Sequence, residues 1–288
     1  MSRVVVSYRR PLNSEQLLVL SLLYRFRFGT AEYIAQYLGK TNIKVVQKKL
    51  RILEDQDFIA KRYNSSYKLA GKPAEYYLTP KGARLLSAST GADTRLADQV
   101  TPQGIKNLYK NTTVSTDFVA HCLYLFKVAL HLQVLYGDRL TIFTRMQMIP
   151  FDYLPTWRPD LYLNLKTGAK GKGAPKRYLL DVWDGTRPFF VSVRKTRAYL
   201  KYAENGDWPT DQADFPSILV VCENNKFQKK LNRQIRKALD ESSEDVIIFA
   251  TAISEMFLAA TQAKNKLWEL VELYSDDDDS SLSSPESL

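Results

Sequence analysis

The sequence predicts two folded domains: an α+β module at the N-terminus, then an α/β domain on a mixed sheet. Three observations carry that expectation. The 288 residues are enough for two domains by the usual length prior. Residues 1–87 read as short amphipathic helices around one β hairpin, with 16 Lys and Arg against 6 Asp and Glu. From residue 139 onward the pattern changes to a strand meander followed by helix, strand, helix and strand, which builds a mixed sheet.

The opening elements follow from caps and apolar spacing. In "NSEQLLVLSLLYRFRF", Asn13 or Ser14 can cap a helix whose Leu17, Leu20, Leu23 and Tyr24 recur at helical spacing. Gly29-Thr30 breaks that helix and restarts the chain as "TAEYIAQYLGK", with Gly39 as its stop. Thr41 then reads as the cap of a third helix, with Ile43, Val46, Leu50 and Leu53 as its buried stripe. "FIAKRY" and "AEYYLT" read as two strands joined by the polar loop "NSSYKLAGKP", and "TPKGARLL" starts a last helix. Residues 88–112 are rich in small and polar types and read as a linker.

The second domain spans 113–273. It opens on a strongly apolar helix, "STDFVAHCLYLFKVALHLQVLYG", which carries both histidines of the protein. His121 and His131 are ten residues apart, about 1000° of helical rotation, so they cannot share one metal on that helix. With no His-x-His pair either, the histidine cluster of a tyrosine-transferring nickase is missing, and the 17 tyrosines are assigned to packing. Strands are expected at 139–148, 161–165 and 177–183, the last two joined by the Gly/Lys-rich loop 166–176. A helix within "PFFVSVRKTRAYLKYAENG", the strand "FPSILVVC", the basic amphipathic helix "NNKFQKKLNRQIRKALD" and the strand "DVIIFAT" complete it. Residues 274–288 form an acidic tail too charged to fold alone, either a solubilising appendage or a DNA mimic.

Composition narrows the classes. Net charge is +10, concentrated at the N-terminal end, which points to a polyanion such as nucleic acid. No run approaches the roughly 18 uninterrupted apolar residues of a membrane span. The apolar patch in "MSRVVVSYRR" is too short for a secretory segment, so a cytoplasmic protein with no membrane partner is expected. Cys122 and Cys222 belong to no CxxC or Cys/His cluster, which argues against zinc and against a disulfide framework.

Two sets of residues carry candidate chemistry. The first module resembles a winged helix-turn-helix, in which the third helix enters the major groove and the wing reaches phosphates. Double-stranded DNA is the expected partner, met by Asn42, Lys44, Lys48, Lys49 and Arg51 on the third helix and Lys61, Arg62, Lys68 and Lys72 on the wing. In the second domain, "RPDLYLNL" puts Asp160 just before one strand and "RYLLDVWDG" puts Asp181 near the end of the next. An antiparallel pairing brings both carboxylates to one edge of the sheet. Two carboxylates there can hold Mg²⁺ and activate a water, the logic of a PD-(D/E)xK nuclease. The lysine expected two residues after Asp181 is replaced by Trp183, and Lys195 on the following helix is the candidate substitute. The same pair also reads as turn and strand-end residues of an inactive scaffold, the reading these departures favour.

The order and spacing of "RPDLYLNL", "YLLDVWDGTRP", "VRKTRAYLKYAENG" and "FPSILVVCENN" resemble the replication-relaxation family over most of residues 14–250. The resemblance implies a winged helix followed by a restriction-endonuclease-like domain. It also implies a role in plasmid or mobile-element replication, relaxation or transfer, with a relaxase or a replication initiator as a partner protein. It leaves three functions open: a DNA-binding accessory protein with further DNA or protein contacts on a degenerate nuclease scaffold, an active Mg²⁺-dependent endonuclease or nickase, and a winged-helix transcriptional regulator. Oligomeric state is not legible.

Overall fold

The computed structural model describes residues 11–89, 100–167, 173–206, 208–209, 214–242, 247–261 and 267–272. The acidic tail and most of the Gly/Lys-rich loop lie outside the described residues. The chain divides into two compact units, Met1–Thr112 and Thr113–Leu288.

In the first unit, α1 (Ser14–Phe26) begins with a reciprocal cap: Asn13 Oδ1 accepts from Gln16 N–H, and Gln16 Oε1 accepts from Asn13 N–H. A two-residue strand β1 (Phe28–Gly29) leads into α2 (Ala31–Tyr37), capped by Thr30. Gly39, at φ 63°, ends α2, and Lys40 N–H donates to Ala35 C=O in a Schellman closure. α3 (Ile43–Asp55) follows, with Val46, Leu50 and Leu53 fully buried. Its cap is Asn42 rather than Thr41, because Asn42 Oδ1 accepts from Lys44 N–H. β2 (Ile59–Arg62) and β3 (Glu75–Leu78) pair antiparallel, and β3 sits between β1 and β2 in a three-stranded sheet. The loop between them is not wholly irregular: it holds a one-turn helix α4 (Ser65–Leu69), capped by Asn64.

The linker expected at 88–112 is corrected at both ends. α5 (Pro80–Ser89) runs through 88 and 89, and α6 (Pro102–Leu108) with its 3₁₀ extension packs back onto the first unit. The stretch is polar because its polar groups are internal ties. Thr101 caps α6, and its N–H donates to the buried Tyr24 hydroxyl. Arg27 donates to the Asn111 side chain and to the Asn107 carbonyl. Residues 90–99 lie outside the described residues.

The second unit is a six-stranded mixed sheet in the order β4-β5-β6-β7-β8-β9. After α7 (Thr116–Tyr136), the strands β4 (Leu140–Thr144), β5 (Leu161–Leu165) and β6 (Lys176–Trp183) form an antiparallel meander. Residues 145–148, expected to extend the first strand, are turns. α8 (Phe189–Glu204) crosses over so that β7 (Ser217–Cys222) is parallel to β6; α9 (Asn225–Asp240) does the same for β8 (Phe249–Ile253). α10 (Ser254–Ala259) and the short antiparallel edge strand β9 (Glu269–Leu270) were not legible.

Alternation along the strands makes two apolar faces. Tyr162, Leu179, Ile218 and Val220 form one core with Tyr199 and Leu200 of α8 and Leu231 and Ile235 of α9. α7 packs against β4 and α10 against β7 and β8. By length and composition α7 could cross a membrane, yet its Val119, Phe126, Val128 and Leu132 are buried inside the unit. The run α7-β4-β5-β6-α8-β7 is the αβββαβ core of restriction-endonuclease-like folds, and both crossovers join parallel strands.

Candidate functional site

The β5–β6 register pairs Leu161 with Leu180, so Asp160 and Asp181 come next, opposite one another where β5 begins. Each is 1% exposed. They replace the ladder with side-chain bonds: Asp160 N–H donates to Asp181 Oδ1 at 3.0 Å, and Val182 N–H donates to Asp160 Oδ2 at 3.0 Å. The turn before Asp160 is held by arginines. Arg158, at φ 33°, donates to the Met148 and Ile149 carbonyls, and Arg145 donates to the Trp157 and Arg158 carbonyls.

α8 supplies the partners of Asp181. Lys195 Nζ donates to Asp181 Oδ1, and the buried Tyr199 hydroxyl donates to Oδ2 at 2.8 Å. A lysine absent from the strand is thus present on α8, nearly two turns into the helix. The structure brings all three sequence-derived candidates, Asp160, Asp181 and Lys195, together.

It adds residues that sequence reasoning left aside. His121, set aside above because it cannot share a metal with His131, reaches the same cluster from α7. Its Nδ1 lies 2.9 Å from Asp184 Oδ2, and its Nε2 lies 2.7 Å from Arg187 and 3.6 Å from Asp160 Oδ1. Asp184 follows the end of β6, where the chain bends, so strict alternation no longer dictates its direction; Thr186 N–H and Oγ1–H donate to its other oxygen. Arg145 and Arg187 lie 3.9 and 3.8 Å from Asp160 Oδ1. The available signal was the tripling of acid, acid and base in "DVWDGTR", but only the fold could add a histidine from sixty residues upstream. His131, by contrast, packs edge-on against Phe257.

Charge balances inside the cluster. Burial by itself would raise the Asp160 carboxyl; the charge of Lys195 and the neighbouring His121 imidazole overcome it and hold the carboxyl well below its ordinary value. Asp184 is likewise lowered, against burial, by His121 and Thr186. Burial would lower His121, but the nearby Asp160 carboxylate and the bond to Asp184 raise it. Tyr199 is pushed well above the ordinary phenol value by burial and by Asp181, so it stays a donor.

This donor set does not fit a magnesium ion. Mg²⁺ asks for oxygen ligands with free lone pairs and for room to keep several waters. Both Asp181 oxygens already take Lys195, Tyr199 and a backbone N–H. Asp160 Oδ2 takes Val182 N–H. Asp160 Oδ1 has no hydrogen-bond partner, but it faces His121, Arg145 and Arg187 within 4 Å. Three carboxylates meet Lys195, Arg145 and Arg187 besides the raised imidazole, so no surplus negative charge remains to attract a dication. Among the described residues no group of three or more His, Cys, Asp or Glu is arranged to hold a metal.

The second candidate surface lies on α3 and the wing, and here the expected residues separate. Lys44, Lys48 and Arg51 share one exposed face of α3 and have no ion-pair partner among the described residues. Lys49 does not belong to that face. It is three residues from Val46 and four from Leu53, on the margin of the buried stripe, and it pairs with Glu15 at 2.9 Å. Lys40 joins it, and the two hold the Glu15 carboxyl down at about 2. Asn42 Oδ1 is committed to capping, which removes the acceptor that adenine reading would need. On the wing, Lys61 pairs with Glu54 at 3.0 Å and Arg62 lies 3.9 Å from Glu75. Lys68 and Lys72 are exposed and have no ion-pair partner among the described residues.

Fold and cluster together define a two-unit α+β protein: a module of short helices around a three-stranded sheet, and a six-stranded nuclease-like sheet whose paired aspartates lie opposite one another where β5 begins. The chain belongs to the replication-relaxation family, whose model matches residues 20–218. No curated protein matches the chain. A solved structure of the restriction endonuclease FokI bound to DNA matches at 12% identity with a TM-score of 0.29, over 85% of this chain. The chain spans 43% of that protein.

Proposed function

We propose that this protein is a cytoplasmic DNA-binding accessory factor of plasmid or mobile-element replication, relaxation or transfer, acting with a relaxase or an initiator. In this reading the first unit is a winged helix that docks α3 in the major groove of double-stranded DNA and lays the wing along phosphates. Lys44, Lys48 and Arg51 face the groove, and Lys68 and Lys72 the backbone. The second unit is a degenerate nuclease scaffold, in which Asp160, Asp181 and Lys195 form a neutralised structural cluster with no Mg²⁺ chemistry.

One observation carries the reading: the free cations of α3 occupy a single exposed face, while both Asp181 oxygens and Asp160 Oδ2 accept from donors inside the fold and Asp160 Oδ1 faces His121, Arg145 and Arg187 within 4 Å. A working endonuclease needs those oxygens available to metal and water. The test is a salt titration of duplex binding. Lys48→Ala with Arg51→Ala is expected to weaken binding and to lower the slope of log K against log salt by roughly 2, at about 0.9 per lost phosphate contact. An unchanged affinity and slope would remove α3 as the DNA face.

A further inference from the structure

A second basic surface lies on the second unit, on the outer face of its two crossover helices. α8 and α9 pack side by side on one face of the sheet and share its core. Between them they carry ten Lys and Arg, and their only acids are Glu204 and Asp240, the last residue of each helix. Burial fixes which way the charges point. α8 turns Thr196, Tyr199 and Leu200 inward and leaves Arg194, Arg197 and Lys201 exposed at i, i+3 and i+7. α9 is locked in rotation by a buried polar chain: Gln228 donates to Thr251, Thr251 donates to Asn232, and Asn232 donates to Glu269. Its opposite face presents Lys226, Lys229 and Arg233.

That face costs stability rather than adding it. Like charges three and four residues apart on a helix repel. Cations in the first turns of α9 also oppose the helix dipole, which favours acids there. The ordinary remedy would be acidic neighbours, and they are nearly absent. Arg197 and Lys237 reach the same Glu241, at 3.7 and 3.8 Å, while Arg194, Lys201, Lys226, Lys229 and Arg233 have no ion-pair partner among the described residues. A destabilising stripe of unpaired cations needs an external counter-charge. From Lys226 to Arg233 the stripe runs roughly 10 Å along the helix, about three phosphate steps of one DNA strand. It offers cations and no row of aromatic rings, which suits backbone phosphates and not base stacking.

We propose that the outer face of α8 and α9 is a second DNA site, which binds the phosphate backbone of duplex DNA without regard to sequence. It is independent of α3, so the chain holds DNA at two places, one on each unit. This assigns the second unit's surviving function to its helical face and not to the carboxylates at the sheet edge.

The experiment uses the full chain and a fluorescent duplex of arbitrary sequence, titrated over a range of salt. The variant Lys226→Gln, Lys229→Gln, Arg233→Gln changes only exposed side chains, and its circular dichroism and melting are compared with the parent. Binding is expected to weaken about tenfold or more, and the log–log slope to fall by roughly 2 to 3. A charge-keeping variant, Lys229→Arg with Arg233→Lys, is expected to bind as the parent does, which separates lost charge from lost fold. The α3 variant, Lys48→Ala with Arg51→Ala, is measured beside them. If the α3 variant loses binding and the α9 variant matches the parent, the second site is wrong and the winged-helix reading stands. If the α9 variant loses binding and the α3 variant does not, the second site stands and the winged-helix reading falls. Phosphatidylserine vesicles form the last arm. Vesicle binding that disappears in the α9 variant while its duplex titration overlays the parent's assigns the face to anionic membrane and overturns the proposal.

Discussion

Lys195 and Asp181 meet with 10% and 2% of their side chains exposed, so the pair is largely withdrawn from water. Removing one partner of a buried pair leaves the other charge unpaired, at a cost of about 3–5 kcal/mol. Lys195→Ala is therefore expected to lower the unfolding free energy by about that much, read by urea denaturation. A catalytic lysine held at the expense of the fold would give a neutral or stabilising change instead. The neighbouring histidine adds a pH signature. The His121 value is raised in the folded protein, so its stabilisation is complete below the ordinary 6.5 and is lost as pH rises through the raised value. Asp160 and Asp184 are lowered, so theirs is complete above 3.8 and is lost as pH falls through the lowered values. The two limits overlap between 3.8 and 6.5. The melting-temperature gap between the parent and His121→Gln is expected to be widest at about pH 5–6 and to narrow toward both extremes. A gap that keeps widening above neutrality would contradict the ion-pair assignment.

At the scale of elements, most strands and helices were legible because burial follows period. β5 falls at the expected residues, and the buried stripe of α3 was read correctly in Val46, Leu50 and Leu53. What failed was local and polar. α6 was hidden because its ties are hydrogen bonds, Thr101 to Tyr24 and Asn111 to Arg27, which leave no apolar period. Lys49 was placed on the wrong face because charge was weighed before helical angle. The Asp160–Asp181 juxtaposition was legible, since antiparallel pairing alone dictates it; the contribution of His121 was not, because it depends on where α7 lies against the sheet. Close packing of short elements also gives a prediction. A Cβ on Gly82 of α5 would lie 2.1 Å from the Phe58 carbonyl oxygen, a backbone atom with little freedom to move. Gly82→Ala is expected to cost about 1–3 kcal/mol in urea unfolding despite a better helix propensity. An alanine variant as stable as the parent would mean that α5 does not seat against β2 in this way.

For the whole molecule, the family sets a replication-relaxation context and the chain folds as two units. Positive charge gathers where DNA is proposed to lie, on α3, on the wing and on the helical face of the second unit. Negative charge in the nuclease-like core is consumed internally. A sheet can keep the layout of a nuclease after its carboxylates have been turned into hydrogen-bond acceptors for its own backbone, because the layout is also what holds β5 to β6. The account's central claim is DNA binding without cleavage. It is tested most directly by incubating the purified full chain with supercoiled plasmid in Mg²⁺ and in EDTA, and resolving the products after protein removal. The account predicts retarded plasmid before deproteinisation, and supercoiled plasmid recovered intact under both conditions. Nicked or linear DNA that appears only with Mg²⁺, and disappears in Asp181→Asn, would contradict it.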